Sequence, residues 1–138
     1  MKKECSFMNQ KKEHLEWIEL AEQDLNSGIY LMNMVPKPLE IICYHCQQSA
    51  EKYLKAFLVK NEEQIVRTHD LTVLHLKCKT IDSDIDKIKK ECANLTNFSV
   101  NIRYPFHIEL KENDAKMAIE NSKKIKRLIE YKLKTCHS

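Results

Sequence analysis

A chain of 138 residues fits one domain, and it buries enough surface for a self-sufficient core. Lys and Arg number 23 against 20 Asp and Glu, a net charge of +3 that permits nucleic-acid contact without requiring it. One Gly and three Pro argue against a turn-rich sheet protein, and no apolar run approaches the roughly 20 residues of a membrane span.

Residues 1–9 carry no apolar period and are expected to form a flexible N-terminus ahead of one domain over residues 10–138. From about Gln10 to Met34 a long helix is predicted, with Trp17, Ile18, Ala21, Leu25, Leu31 and Met32 inward and Glu16, Glu19, Glu22 and Gln23 facing water. Gly28 interrupts it at a cost of about 1 kcal/mol against Ala, either as a close approach to the next helix or as a tolerated lone glycine.

The central element is Ile41 to Lys60, free of Gly and Pro and about 30 Å long as a helix. Cys43, Cys46, Ala50, Tyr53, Leu54, Phe57 and Leu58 recur at three- and four-residue steps and form one apolar stripe. His45, Gln48, Glu51, Lys52 and Lys55 occupy the other side, with Glu51 and Lys55 spaced as an i,i+4 ion pair. Pro36 and Pro38 suit the entrance of this helix.

A polar run, NEEQIVRTHD, then reads as a loop, with Thr68 or Asp70 capping a short helix through Leu71, Leu74 and Leu76. His69 is expected to brace this loop. Ser83 and Asp86 approximate a capping box for a helix to about Asn97, with Ile85, Ile88, Cys92 and Leu95 inward. Pro105 makes Phe98 to Leu110 irregular. A last helix starts near Asn113, and Ala115, Ala118, Ile119, Ser122, Ile125, Ile129 and Leu133 face inward. Lys123, Lys124, Lys126, Arg127, Lys132 and Lys134 crowd its C-terminal half, either as a solvated face or as an electrostatic footprint for RNA or an acidic partner. The fold class is all-α: an up-and-down bundle of four main helices and one short one.

The six cysteines read as small core hydrophobes of a reducing compartment. Met1 to Lys3 lead into polar sequence without the apolar stretch of a secretory signal, so a soluble cytoplasmic protein is expected. Cys43-x-x-Cys46 has half a zinc spacing, with His45, Cys78 and Cys92 as further candidates, but core packing is the better account and no metal or cofactor is expected. A Cys43 nucleophile would need a base, and His45, two residues on, points away from it on a helix. No Gly-rich phosphate loop is present.

The segment NFSVNIRYPFH, Asn97 to His107, sets an Arg, a Tyr and a His around a proline. Arg103 suits bidentate phosphate binding, and His107 can move protons near neutral pH. Together they meet the minimum for metal-free RNA cleavage. The alternative is that Arg103 pairs with a carboxylate such as Glu51 and pins the loop.

These residues resemble the HEPN domain family (higher eukaryotes and prokaryotes nucleotide-binding). The resemblance runs from Trp17-x3-Ala21-x2-Asp24-Leu25, through Ile42 to Ala56 and Thr68-His69-Asp70-Leu71, to Arg103-Tyr104-Pro105. It implies a helical bundle that forms homodimers, often beside a minimal nucleotidyltransferase in toxin–antitoxin-like pairs. In the ribonuclease branch an Arg and a His with four to six residues between them form the active motif, and two copies meet across the dimer. Here only three residues separate Arg103 from His107, and Arg-Tyr-Pro looks more like the nucleotidyltransferase-associated branch. In family toxins a Tyr near the motif can be modified by the partner, a role that would fall to Tyr104.

The leading expectation is therefore a module that binds a nucleotide or RNA phosphate through Arg103, Tyr104, Lys52 and Lys55. One alternative is a metal-free endoribonuclease with Arg103 and His107 as catalytic residues. The other is a non-catalytic dimeric interaction protein.

Overall fold

The computed structural model describes the backbone of residues 2–98 and 109–135 and the side chains of residues 13–98 and 109–134. In chain order the helices are α1 (Lys2–Leu31), α2 (Leu39–Lys60), α3 (Leu71–Ile81), α4 (Lys89–Leu95) and α5 (Glu112–Thr135). Two 3-10 segments, Ser83–Ile88 and Thr96–Phe98, flank α4, and no strand occurs among the described residues. The protein is an all-helical bundle, as its periodicity predicts.

The centre of the bundle is α2, packed mainly against α1 and α5. Its whole apolar stripe is buried, and Tyr53, Leu54, Phe57 and Leu58 are among the largest fully enclosed side chains. Burying a side chain of this size contributes about 1.5–3 kcal/mol, so this face dominates the stability of the fold. Small residues let the helices approach. Ser49 Oγ donates to the Ala21 carbonyl of α1 at 2.8 Å, and Ser122 Oγ of α5 donates to the Cys46 carbonyl at 3.2 Å. Gly28 lies at the same contact. A methyl there would meet the Ile42 carbonyl oxygen at 3.5 Å and Cys46 Sγ at 3.6 Å, which is ordinary packing distance. The approach is close, but it does not demand glycine.

Element ends follow local chemistry. Asn61 caps α2, Glu62 takes a left-handed φ of 61°, and the Glu63 N–H returns to the Leu58 carbonyl at 2.9 Å. Glycine is the usual residue at such a turn, and the chain's one glycine lies elsewhere. Asp70 caps α3, its carboxylate accepting from the Thr72 N–H at 2.9 Å. α3 continues past Leu76 to Ile81, longer than the short helix expected.

The region from Ser83 departs from the expected single helix. Asp82, not Ser83, is the cap, and it accepts from the Asp84 N–H at 3.0 Å. Residues 83–88 then wind as a 3-10 turn, in which positions three apart eclipse. That geometry stacks Ile85 and Ile88 on one inward edge before α4 takes over with Cys92 and Leu95. α1 begins at Lys2, eight residues ahead of the apolar period.

Candidate functional site

The polar side of α2 is not a solvated face. Glu51 is 3% exposed and Lys55 8% exposed, because α1 and the loop of residues 61–70 fold over them. Glu51 Oε2 accepts from Lys55 Nζ at 2.9 Å, completing the i,i+4 pair. Its other oxygen, Oε1, faces His69 Nδ1 at 2.9 Å. Gln47 Nε2 donates to the His69 carbonyl at 2.9 Å, and Gln48 Nε2 to Gln47 Oε1 at 2.8 Å. His69 therefore braces the loop through both its ring and its backbone. Lys55 Nζ also lies 5.5 Å from the centre of the Trp17 ring, a cation–π contact between α1 and α2.

One and two turns away along the same face, a second cluster forms around Asp24 of α1. Asp24 Oδ1 accepts from His45 Nδ1 at 2.9 Å, while Lys52 Nζ bonds Oδ2. Lys52 and Lys55, both expected to bind phosphate, thus each hold a carboxylate within the fold. The pairing of Asp24 with His45 is not legible from spacing, since the two residues lie on different helices. The signal available is an acidic residue next to the apolar Leu25, facing a helix whose polar side recurs at 45, 48 and 52.

Arg103, Tyr104 and His107 lie outside the described residues. The described residues on either side of their segment are well anchored. Thr96 Oγ1 accepts from the Leu71 N–H at 2.9 Å and bonds Asp70 Oδ1 at 3.2 Å, beside His69. Phe98 and Leu110 both pack against the core. Glu51, the carboxylate considered for Arg103, already holds Lys55 and His69.

Cys43, Cys46, Cys78 and Cys92 are free thiols enclosed in the core. Burial, reinforced by Asp114, pushes the Cys43 thiol up to about 12, and burial with Glu91 does the same for Cys92. Cys46 and Cys78 are raised further, again chiefly by burial. Such thiols are protonated at neutral pH and pack as hydrophobes. Among the described residues no group of three or more His, Cys, Asp or Glu is arranged to hold a metal ion.

The basic half of α5 is partly neutralised by its neighbours. Lys132 contacts Asp84 at 2.6 Å and Asp82 at 3.0 Å, and Lys124 contacts Glu91 at 3.6 Å. These contacts join α5 to the chain around the first 3-10 segment and to α4. Hydrogen bonds that Lys132 donates to the Asp84 and Asp82 carboxylates push its ammonium up to about 12.

A helical bundle built around a continuous central helix is the architecture on which these clusters sit. The family model of the HEPN domain matches residues 14–132, and the chain belongs to that family. Two solved structures share the fold. The chain is 24% identical to ST0689, described as an archaeal HEPN homologue, covering 87% of this chain and 97% of that one, with a TM-score of 0.70. It is 22% identical to TT1696 from Thermus thermophilus, over 86% of this chain and 97% of that one, with a TM-score of 0.74. No curated protein matches the chain. Among the described residues no helix is long and apolar enough to cross a membrane.

Proposed function

We propose that this HEPN-domain protein is a nucleotide- or RNA-phosphate-binding module that acts as a homodimer with a minimal nucleotidyltransferase partner. Arg103 is the phosphate ligand and Tyr104 follows it in sequence, while Lys52 and Lys55, each paired with a carboxylate, brace the polar side of α2. What supports the reading is the packing of the described residues at either end of the stretch that carries Arg103. That stretch leaves Phe98 and returns at Leu110, both packed on the core, and it starts beside the Thr96–Asp70–Leu71 contacts that adjoin His69 and Glu51. The partner and the pairing as a toxin–antitoxin-like system rest on the family resemblance of Arg103-Tyr104-Pro105.

The test is RNA binding and cleavage by wild type, Arg103→Ala and His107→Ala in EDTA, with folding followed by circular dichroism. Folded Arg103→Ala is expected to bind RNA about tenfold more weakly at low salt, with a salt slope smaller by about one. Unchanged affinity sinks the phosphate reading. Cleavage by wild type that disappears in both folded variants makes the protein a ribonuclease with Arg103 and His107 as its catalytic pair. Light scattering and co-purification with a minimal nucleotidyltransferase test the dimer and the partner.

A further inference from the structure

Beside the Asp24–His45 contact lies an open groove of about 750 Å³, lined by Gln23, Asn26, Ser27, Tyr30, Leu31 and His45. Four of these, Gln23, Asn26, Ser27 and Tyr30, are spaced i, i+3, i+4 and i+7, so they form one stripe of α1. The stripe offers two carboxamides, a hydroxyl and a phenol ring that is 75% exposed. His45 completes the groove from α2, and its orientation is set. Nδ1 is given to Asp24 Oδ1 at 2.9 Å, Lys52 holds the other Asp24 oxygen, and Nε2 is the nitrogen left for a ligand.

The chemistry of the lining narrows the guest. Among the described residues no Lys, Arg, Asp or Glu lines the groove, so this described lining suits an uncharged group better than a phosphate or an ion. It presents an exposed aromatic face together with carboxamides, whose paired donor and acceptor match the edge of a nucleobase. Stacking on an aromatic side chain and hydrogen bonding along an edge is how an unpaired base is held. We infer that this groove is a base-binding subsite, taking one unpaired nucleobase over Tyr30, with Asn26, Gln23 and His45 Nε2 meeting its polar edge. This extends the phosphate reading above to a second, uncharged part of the ligand, and it is tested apart from it.

The probes are adenosine, guanosine, cytidine and uridine, which carry a base and no phosphate. Each is titrated at millimolar concentration into 15N-labelled protein, following the amides of residues 23–31 and the His45 ring by NMR. Saturable shifts confined to the groove are expected for at least one nucleoside. Tyr30→Ala should weaken that nucleoside about 5- to 100-fold, and Asn26→Ala by a smaller factor. Arg103→Ala should leave nucleoside affinity unchanged. If Arg103→Ala also leaves nucleotide and RNA affinity unchanged, the phosphate reading fails while the base subsite stands. Absence of groove shifts with all four nucleosides overturns the inference. So does a Tyr30→Ala variant that keeps nucleoside affinity, and a change in its self-association instead would mark the groove as a protein contact.

Discussion

The two sides of α2 are both buried, and they are buried by different physics. One side sets Cys43, Cys46, Ala50, Tyr53, Leu54, Phe57 and Leu58 against α1, α3 and α5, where burial of apolar surface supplies the stability and geometry is forgiving. The other side encloses Glu51 and Lys55 with His69, Gln47 and Trp17, where each charge is tolerable only because its partner is present. The apolar side therefore fixes how strongly the bundle folds. The polar side fixes how α1 and the loop of residues 61–70 are placed over α2, and the candidate sites stand on those elements.

Single substitutions on the two sides separate these roles, and the greatest loss belongs to the apolar one. Phe57→Ala removes a nearly fully buried ring and should cost about 4 kcal/mol in urea denaturation. Glu51→Ala should follow at about 3 kcal/mol, since it strands Lys55 in the interior. The two losses should differ in kind. Replacing Lys55 as well, with Met, should recover much of the Glu51 loss, whereas no single second change should recover Phe57. If Glu51→Ala costs less than about 1 kcal/mol, the polar side is a screened surface pair and the contrast collapses.

At the edge of the polar network, Asp70→Ala removes the α3 cap and should cost about 1 kcal/mol at pH 7. Hydrogen bonds from Thr72 hold the Asp70 carboxyl below its ordinary value. A group lowered in the folded state stabilises it above the unfolded pKa and loses that contribution as pH falls through the folded one. The gap between wild type and Asp70→Ala should accordingly close between about pH 4 and the lower folded value, a trend readable from urea midpoints. The smallest effects are favourable. Gly28→Ala at the α1–α2 contact and Glu62→Gly at the left-handed turn should each raise stability by about 0.5 kcal/mol. A loss from Gly28→Ala would mean that α1 and α2 need closer contact than 3.5 Å packing implies.

The thiols give an independent reading of the apolar side. Cys43, Cys46, Cys78 and Cys92 should resist iodoacetamide in native protein at about pH 8 and label only after unfolding, because burial keeps them protonated and out of reach.

Much of the fold is legible in the residues themselves. The apolar steps of residues 43–58 name the face of α2 that is buried, and the same kind of spacing places Ile85, Ile88, Cys92 and Leu95 inward, as they are. What periodicity does not register is that 83–88 winds as a 3-10 turn, because three-residue spacing of isoleucines serves either helix. The site is less legible. Arg103, Tyr104 and His107 are readable as chemistry in a row, yet their arrangement is a matter of segment geometry that spacing does not carry.

The helical class, the central helix and its apolar face follow from the residues alone, since these depend on local period and on the near absence of glycine. So does the pairing of Glu51 with Lys55, because i,i+4 neighbours on one helix meet wherever the helix goes. The burial of this pair, its closure by His69 and the reach of Asp24 across to His45 and Lys52 come from the packing of the helices and the loop. Those contacts join residues 18 to 28 positions apart. Their energy depends on burial, and burial is a property of how helices and loops pack, not of any one stretch of chain.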